Sequence, residues 1–368
     1  MSARASPLAV VLPSLAGGGA ERVGVELANI WARSGRAVTL LSLDDRPPTY
    51  AIDPSVTRVQ LGLLRVSRHV VAAMRNNIWR VRRLRRALRA TGAQQVVSLS
   101  DVTNVTTLLA GWGQGWDIVV CERTEPRHHA ISRIWNRLRR ALYGHARALV
   151  VQTESVAGWA RQQGWRIPIY VIPNAAPDLS FIAPPAPQVT RGTMLAVGRL
   201  SREKGMDVLL DAFARLAGDH PGWQLQVFGE GVERTKLEDA ITAYQLAGRV
   251  HLPGWTADLP ARFGAADIFA LPSRYEGFPN ALLEAMAAGL PCVACDCDSG
   301  PREIIRPGLD GLLVPPEDPR SLAEALDRLI RDVGLRQTLS TRAREVTRRF
   351  SQSDFQTRWQ AVLAGSPP

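Results

Sequence analysis

Two rhythms of apolar and polar positions take turns along this chain. The first is the short, nearly continuous apolar run, as in Leu8-Ala-Val-Val-Leu-Pro13, which reads as a strand buried on both faces. The second is the helical step that follows a glycine turn. Ser14-Leu-Ala-Gly-Gly-Gly-Ala-Glu-Arg22 opens a helix that reaches Ser34, with Gly35 placed to stop it. A second strand from Ala37 to Leu43 completes a βαβ unit. The alternation continues through strands at Gln95 to Leu99, Asp117 to Cys121, Ala148 to Val151 and Ile169 to Ile172. It predicts a parallel sheet with helices on both faces.

Residues 175–192 interrupt this with four prolines and almost no periodicity, which reads as a linker. The alternation then restarts. Strands are expected at Thr193 to Val197, Gln224 to Phe228, Val250 to Leu252, Ile268 to Leu271, Pro291 to Cys295 and Leu312 to Val314, with helices from Gly205, Val232 and Asn280. Helical segments from Pro319, Leu335 and Gln352 finish the chain. A chain of 368 residues is long for one core. The expected organisation is therefore an N-terminal doubly wound domain over 1–174, the linker over 175–192, a second doubly wound domain over 193–350, and a final helix over 351–368 that packs back on the first. The two α/β domains are expected to face a central cleft.

Composition adds little to the fold and more to the partners. No apolar run approaches the ~20 residues of a membrane-spanning helix, and the opening strand is too short for a secretory signal, so the expected location is the cytoplasm. Cys292, Cys295 and Cys297 form C-x2-C-x-C. A zinc site needs a fourth ligand that no nearby histidine supplies, so no metal is expected, and with Cys121 these read as small core residues. Charge is uneven. Residues 1–185 hold 24 Arg, no Lys and 11 acids, a balance of +13, whereas the remainder has 21 basic and 23 acidic residues. Between Val70 and Leu88, apolar Val70, Met74, Ile78, Val81, Leu84 and Leu88 recur at helical steps beside Arg75, Arg80, Arg82, Arg83, Arg85 and Arg86. That is the pattern of a basic amphipathic helix lying on anionic lipid. An ordinary domain helix with its stripe on the core is the competing reading.

The chemistry concentrates after residue 197. Glu276-Gly-Phe-Pro-Asn-Ala-Leu-Leu-Glu284 puts two carboxylates on either side of a turn, the second of them inside a helix. The amides near Asn280, Ala281 and Leu282 would be free at that helix start, a seat for an anion or a ring of hydroxyls. The preceding run from Asp267 to Ser273 reads as a buried strand, and open parallel sheets bind ligands at strand C-terminal ends. Val197-Gly-Arg-Leu-Ser-Arg-Glu-Lys-Gly205 places Arg199 and Lys204 at another such edge, where both reach a diphosphate. Lys204 and Lys236 are the only lysines among 45 basic residues. Phe228-Gly-Glu-Gly231 and His251-Leu-Pro-Gly-Trp-Thr256 are further glycine turns after strands, with Trp255 available to flank a base.

Taken in order, these segments resemble glycosyltransferase family 4, retaining enzymes of the GT-B fold. The resemblance rests on the Gly17-Gly-Gly-Ala-Glu-Arg22 loop, Gly198-Arg199 with Lys204-Gly205, Phe228-Gly-Glu-Gly231, the Glu276 to Glu284 segment, and Gly300-Pro-Arg-Glu-Ile-Ile305 with Asp310-Gly-Leu-Leu-Val314. It implies that Arg199 and Lys204 hold a donor diphosphate. Glu276 and the amides of Phe278, Pro279's neighbour Asn280, Ala281 and Leu282 would grip the transferred sugar, and Glu284 the ribose. Gly17, Gly18 and Gly19 would close over the diphosphate, with Gly198, Gly229, Gly231 and Trp255 lining the donor. Cys121-Glu-Arg-Thr-Glu-Pro126 with Cys297-Asp-Ser-Gly-Pro-Arg-Glu303 is similar to the branch that builds bacterial surface polysaccharides and lipid-linked oligosaccharides from nucleotide, often UDP, sugars. Many members carry a histidine where this chain has Arg123, so Glu122 and Arg123 stand as acceptor-side candidates, and His128 and His129 fall on the expected next helix. The resemblance implies a cytoplasmic enzyme, peripheral on the inner face of the membrane, with no cofactor and no metal. Three alternatives remain: a basic nucleic-acid-binding protein, a nicotinamide oxidoreductase disfavoured by the broken G-x-G-x-x-G at Gly17, and a nucleotide-binding protein without turnover.

Overall fold

The computed structural model describes residues 6–64, 69–129, 131–183 and 191–367. They divide into two compact units, Met1–Pro173 with Gln356–Pro368, and Asn174–Phe355.

The first unit is built on seven parallel strands, each an apolar run of the sequence or its neighbour. In chain order it contains β1 (Leu8–Leu12), α1 (Gly19–Arg33), β2 (Val38–Ser42), β3 (Thr57–Gln60), α2 (Val70–Ala90), β4 (Gln95–Leu99), α3 (Asp101–Gly111), β5 (Asp117–Cys121), α4 (Arg133–Leu142), β6 (Ala148–Val151), α5 (Glu154–Gln162) and β7 (Ile169–Val171). The sheet order is β3-β2-β1-β4-β5-β6-β7, so the winding reverses beside β1. Strand β3 is absent from the apolar pattern because it is an exposed edge, with Thr57 and Arg58 in solvent. The last residues return to this unit. Trp359 is fully buried and meets Trp31 edge to face at 5.6 Å, and Gln95 donates to the Leu363 carbonyl at 2.8 Å.

The second unit holds β8 (Arg191–Val197), α6 (Met206–Ala217), β9 (Gly222–Phe228), α7 (Arg234–Ala243), β10 (Val250–Gly254), α8 (Leu259–Gly264), β11 (Ile268–Leu271), α9 (Asn280–Ala287), β12 (Cys292–Cys295), α10 (Pro301–Ile304), β13 (Leu312–Val314), α11 (Pro319–Arg331), α12 (Val333–Ala343) and α13 (Val346–Arg349); α14 (Gln352–Ala364) then leads back to the first. Its six parallel strands run β10-β9-β8-β11-β12-β13, so this sheet reverses between β8 and β11. Both faces are covered. Met194 and Ala196 enter one apolar core while Leu195, between them, enters the other.

The expected linker needs correction. Ala176, Leu179 and Ile182 are buried in the second unit's core, and Ala176 N–H donates to the Phe350 carbonyl at 2.8 Å. Aliphatic residues spaced at about three through a proline-rich stretch anchor it to the domain as an extended strap. Residues 184–190 of that stretch lie outside the described residues. Among the described residues, no helix is long and apolar enough to cross a membrane.

Candidate active site

The carboxyl ends of β8, β9, β11 and β12 stand beside one another at the reversal of the second sheet, where parallel sheets collect ligands. Four loops meet there. The loop after β8 ends in a single tight turn, Arg202–Lys204, capped by Gly205 at φ 63°. A Cβ on Gly205 would lie 2.1 Å from the Pro272 carbonyl oxygen, so only glycine lets this loop press against the end of β11.

That approach brings together side chains 72 residues apart in sequence. Lys204 Nζ donates to Glu276 Oε1 at 2.7 Å and to Oε2 at 2.9 Å. Ser273, wholly buried, donates its hydroxyl to the same Oε1 at 2.7 Å. Arg274 ties the two loops together, donating to Asp207 at 2.8 Å, to Glu317 at 2.8 Å and to the Arg202 carbonyl at 2.7 Å. Its hydrogen bond to Asp207, above all, raises its pKa further. Behind the turn, Ser299 donates to the Gly277 carbonyl at 3.1 Å.

Pro279 caps α9 from outside and Asn280 is its first residue, so the amides of Asn280, Ala281 and Leu282 have no intrahelical acceptors. Asn174 donates its side-chain amide to the Asn280 Oδ1, fixing the helix start. Glu284 is buried one turn further on. The side chains of Phe278 and Leu282 point into the core, Phe278 against Phe350 at 5.5 Å; only their backbones are left to meet a ligand.

Other expected residues lie differently. Arg199 does not share the Lys204 cluster: its side chain is 69% exposed, with Glu203 at 3.8 Å. Gly229 and Gly231 serve loop packing first. A Cβ on Gly229 would sit 1.9 Å from the Gly198 carbonyl oxygen, and Gly198 N–H donates to the Phe228 carbonyl at 3.0 Å. Trp255 is exposed just beyond β10. In the first unit, Gly17 N–H donates to Thr49 at 2.9 Å and Gly18 N–H to Tyr50 at 3.3 Å; these two glycines precede α1, and Gly19 begins it.

Glu122 and Arg123 follow β5, and both are buried. Tyr143 donates to Glu122 Oε1 at 2.6 Å, Asn104 donates to Tyr143 at 2.9 Å, and Arg139 stands 3.6 Å from the same carboxylate. Glu122 Oε2 is buried without a hydrogen-bond partner. Burial, and then the Asp101 charge, push the Glu122 pKa up to about 7; burial pushes the Arg123 guanidinium down to about 10. Ser100, at the end of β4, holds a left-handed φ of 78°, a strain that non-glycine residues adopt where surrounding contacts demand it. His128 and His129 lie in a turn rather than on the next helix, their N–H groups donating to the Glu125 carbonyl. His129 Nε2 is 3.5 Å from Asp101 Oδ2.

The arginine helix splits in two. Leu84 and Leu88 enter the core and Val81 packs beside them, while Met74 and Ile78 are exposed; the side chain of Val70 lies outside the described residues. Arg80, expected at a membrane, turns inward to the Leu63 carbonyl, and Arg85 bonds the carbonyls of Leu109 and Ala110. Arg75, Arg82, Arg83 and Arg86 remain exposed. All four cysteines are buried thiols, and burial raises the pKa values of Cys121, Cys295 and Cys297 to about 12. Among the described residues, no group of three His, Cys, Asp or Glu side chains is placed to hold a metal ion.

Two family models divide the chain between them. Residues 18–175 match a glycosyl transferase 4-like domain and residues 181–346 match glycosyl transferases group 1. This chain is a GT-B glycosyltransferase of the family 4 type. It is 40% identical over 219 residues to an exopolysaccharide phosphotransferase of Streptomyces coelicolor, an alignment covering 59% of this chain and 23% of that longer protein. Over 361 residues, 97% of this chain and 98% of the relative, it is 24% identical to an alpha-1,4-N-acetyl-D-galactosaminyltransferase of Campylobacter jejuni whose name specifies an undecaprenol-diphosphate-linked glycan. HepE of Anabaena, solved with UDP and glucose, shares the fold with a TM-score of 0.80 at 20% identity, covering 98% of this glycosyltransferase and all of that chain.

Proposed function

We propose that this glycosyltransferase moves a hexose or N-acetylhexosamine from a UDP-linked donor to a growing, lipid-linked glycan of bacterial polysaccharide synthesis, with retention and with neither metal nor cofactor. The observation that carries this reading is the Lys204, Glu276 and Ser273 cluster at the reversal of the second sheet, with the first amides of α9 close behind it in sequence. An ammonium and helix-start amides suit a diphosphate; buried acids suit sugar hydroxyls. The Campylobacter relative's lipid-linked acceptor and the UDP and glucose bound by HepE support the same substrate classes here. The acceptor oxygen bonds the anomeric carbon on the face from which the bond to the β-phosphate breaks. Its proton passes to the departing phosphate oxygen, leaving a glycoside and UDP. Lys204 and Arg199 stabilise the charge that builds on that phosphate.

An anionic membrane surface, the inner face of the cell membrane, is the proposed place of work. Met74 and Ile78 are exposed on α2 among Arg75, Arg82 and Arg86, and Ile134 is exposed on α4 among Arg133, Arg137 and Arg140. Basic residues near such a surface contribute about 1 kcal/mol each. A panel of UDP- and GDP-sugars scored by thermal shift tests the donor, because a true donor stabilises the folded state by mass action. Stabilisation by one UDP-sugar is expected. No shift with any nucleotide overturns the reading.

A further inference from the structure

We infer that Ser273 is a positioning residue: it holds the Glu276 carboxylate in place when a donor diphosphate draws Lys204 away. This rests on the donor-site reading above and assigns Ser273, which that reading placed in the cluster without a role, a task of its own. Two groups expected to serve different parts of the donor hold each other. Lys204 Nζ spans both Glu276 oxygens, at 2.7 and 2.9 Å. A diphosphate is the stronger partner for an ammonium, since it brings more than one negative charge, so its arrival costs Glu276 the ammonium that now fixes its orientation.

The Ser273 hydroxyl is what stays. It is wholly buried at the end of β11, it reaches Oε1 at 2.7 Å, and it carries no charge for a phosphate to attract. Its backbone is held as well. Gly205 lies against the Pro272 carbonyl so closely that no Cβ fits, and Arg274, the next residue, is bound to Asp207, Glu317 and the Arg202 carbonyl. A carboxylate has about four acceptor positions. With Ser273 on one of them and Lys204 withdrawn, the others open to sugar hydroxyls while the group stays oriented. Recognition of the sugar is thereby made conditional on recognition of the diphosphate, through one acid that both use.

The test compares Ser273→Ala with the parent enzyme, using UDP alone and UDP-glucose, UDP-N-acetylglucosamine and GDP-mannose. Affinities are read by calorimetry, and slow hydrolysis of the sugar nucleotide by UDP release. The expected result is UDP affinity within about twofold of the parent, with at least a tenfold loss in hydrolysis of the accepted sugar nucleotide and in its affinity relative to UDP. Ser273→Thr, which keeps the hydroxyl, should recover most of the loss. UDP binding serves as the control for folding. Equal losses for UDP and the sugar nucleotide would make Ser273 merely structural and overturn the inference, as would unchanged sugar-nucleotide behaviour in Ser273→Ala or failure of a UDP-binding Ser273→Thr to recover. If the parent binds none of these nucleotides, the donor-site reading falls, and the inference with it.

Discussion

The carboxyl edges of the two sheets are furnished in opposite ways. In the second unit the polar groups are already matched: Lys204 with Glu276, Ser273 with the same acid, and Arg274 with Asp207 and Glu317. In the first unit the edge carries cost. Ser100 is strained, Glu122 keeps one buried oxygen without a partner, and burial raises that acid's pKa. A paired site is pre-organised and asks little of the fold. An underpaired one draws on stability elsewhere, and such sites are where groups await a ligand or a proton.

The largest expected effect would break the ordered edge outright. Gly205→Ala forces a Cβ to within 2.1 Å of the Pro272 carbonyl oxygen at a left-handed φ, so a loss of about 3 kcal/mol or more in urea unfolding is expected. An unchanged midpoint would mean that the two loops are not locked. Next comes the underpaired edge. With a folded pKa near 7 against about 4.3 for an unfolded glutamate, Glu122 keeps a proton in the native state that the unfolded chain has released. The stability it contributes is therefore present below about pH 4 and is lost as pH rises through 7, by at most about 4 kcal/mol. Glu122→Gln should remove that slope from unfolding midpoints measured between pH 5 and 8; parallel profiles would erase the contrast between the units.

Smaller in energy but sharper in chemistry is Glu276→Ala. It should lower turnover by at least about tenfold, or ~1.4 kcal/mol, with the fold intact. Near-normal turnover would remove Glu276 from the site. The smallest effect belongs to the surface. Arg75→Glu with Arg82→Glu should reduce flotation with anionic liposomes at low salt, each position counting for about 1 kcal/mol. Absence of parent binding at both low and moderate salt would end the membrane proposal.

Much of the fold was legible because both sheets are buried on two faces, so each central strand announces itself as an apolar run. The edge strand β3 did not, since Thr57 and Arg58 face solvent. In the candidate site the motif Glu276 to Glu284 was legible from its turn and helix signals, but its partners were not. Nothing local says that Lys204 will meet an acid 72 residues away, that Asn174 will hold the start of α9, or that Arg80 will fold inward while Arg82 stays outside. Ser273 left one readable trace, a hydroxyl three residues before the acid at a strand end. Ala176, Leu179 and Ile182 left another, apolar residues at regular spacing inside a segment that its prolines disguised.

The return of residues 356–368 to the first unit has a consequence for biosynthesis. Trp31 is made early and Trp359 very late, and the two rest against each other. The N-terminal half must therefore wait, with an aromatic surface uncovered, while the whole of its neighbour is translated. A chain cut just after Phe355 would carry one finished domain and one that still lacks its closing piece, and a deletion that removes Trp359 would injure the domain that was made first.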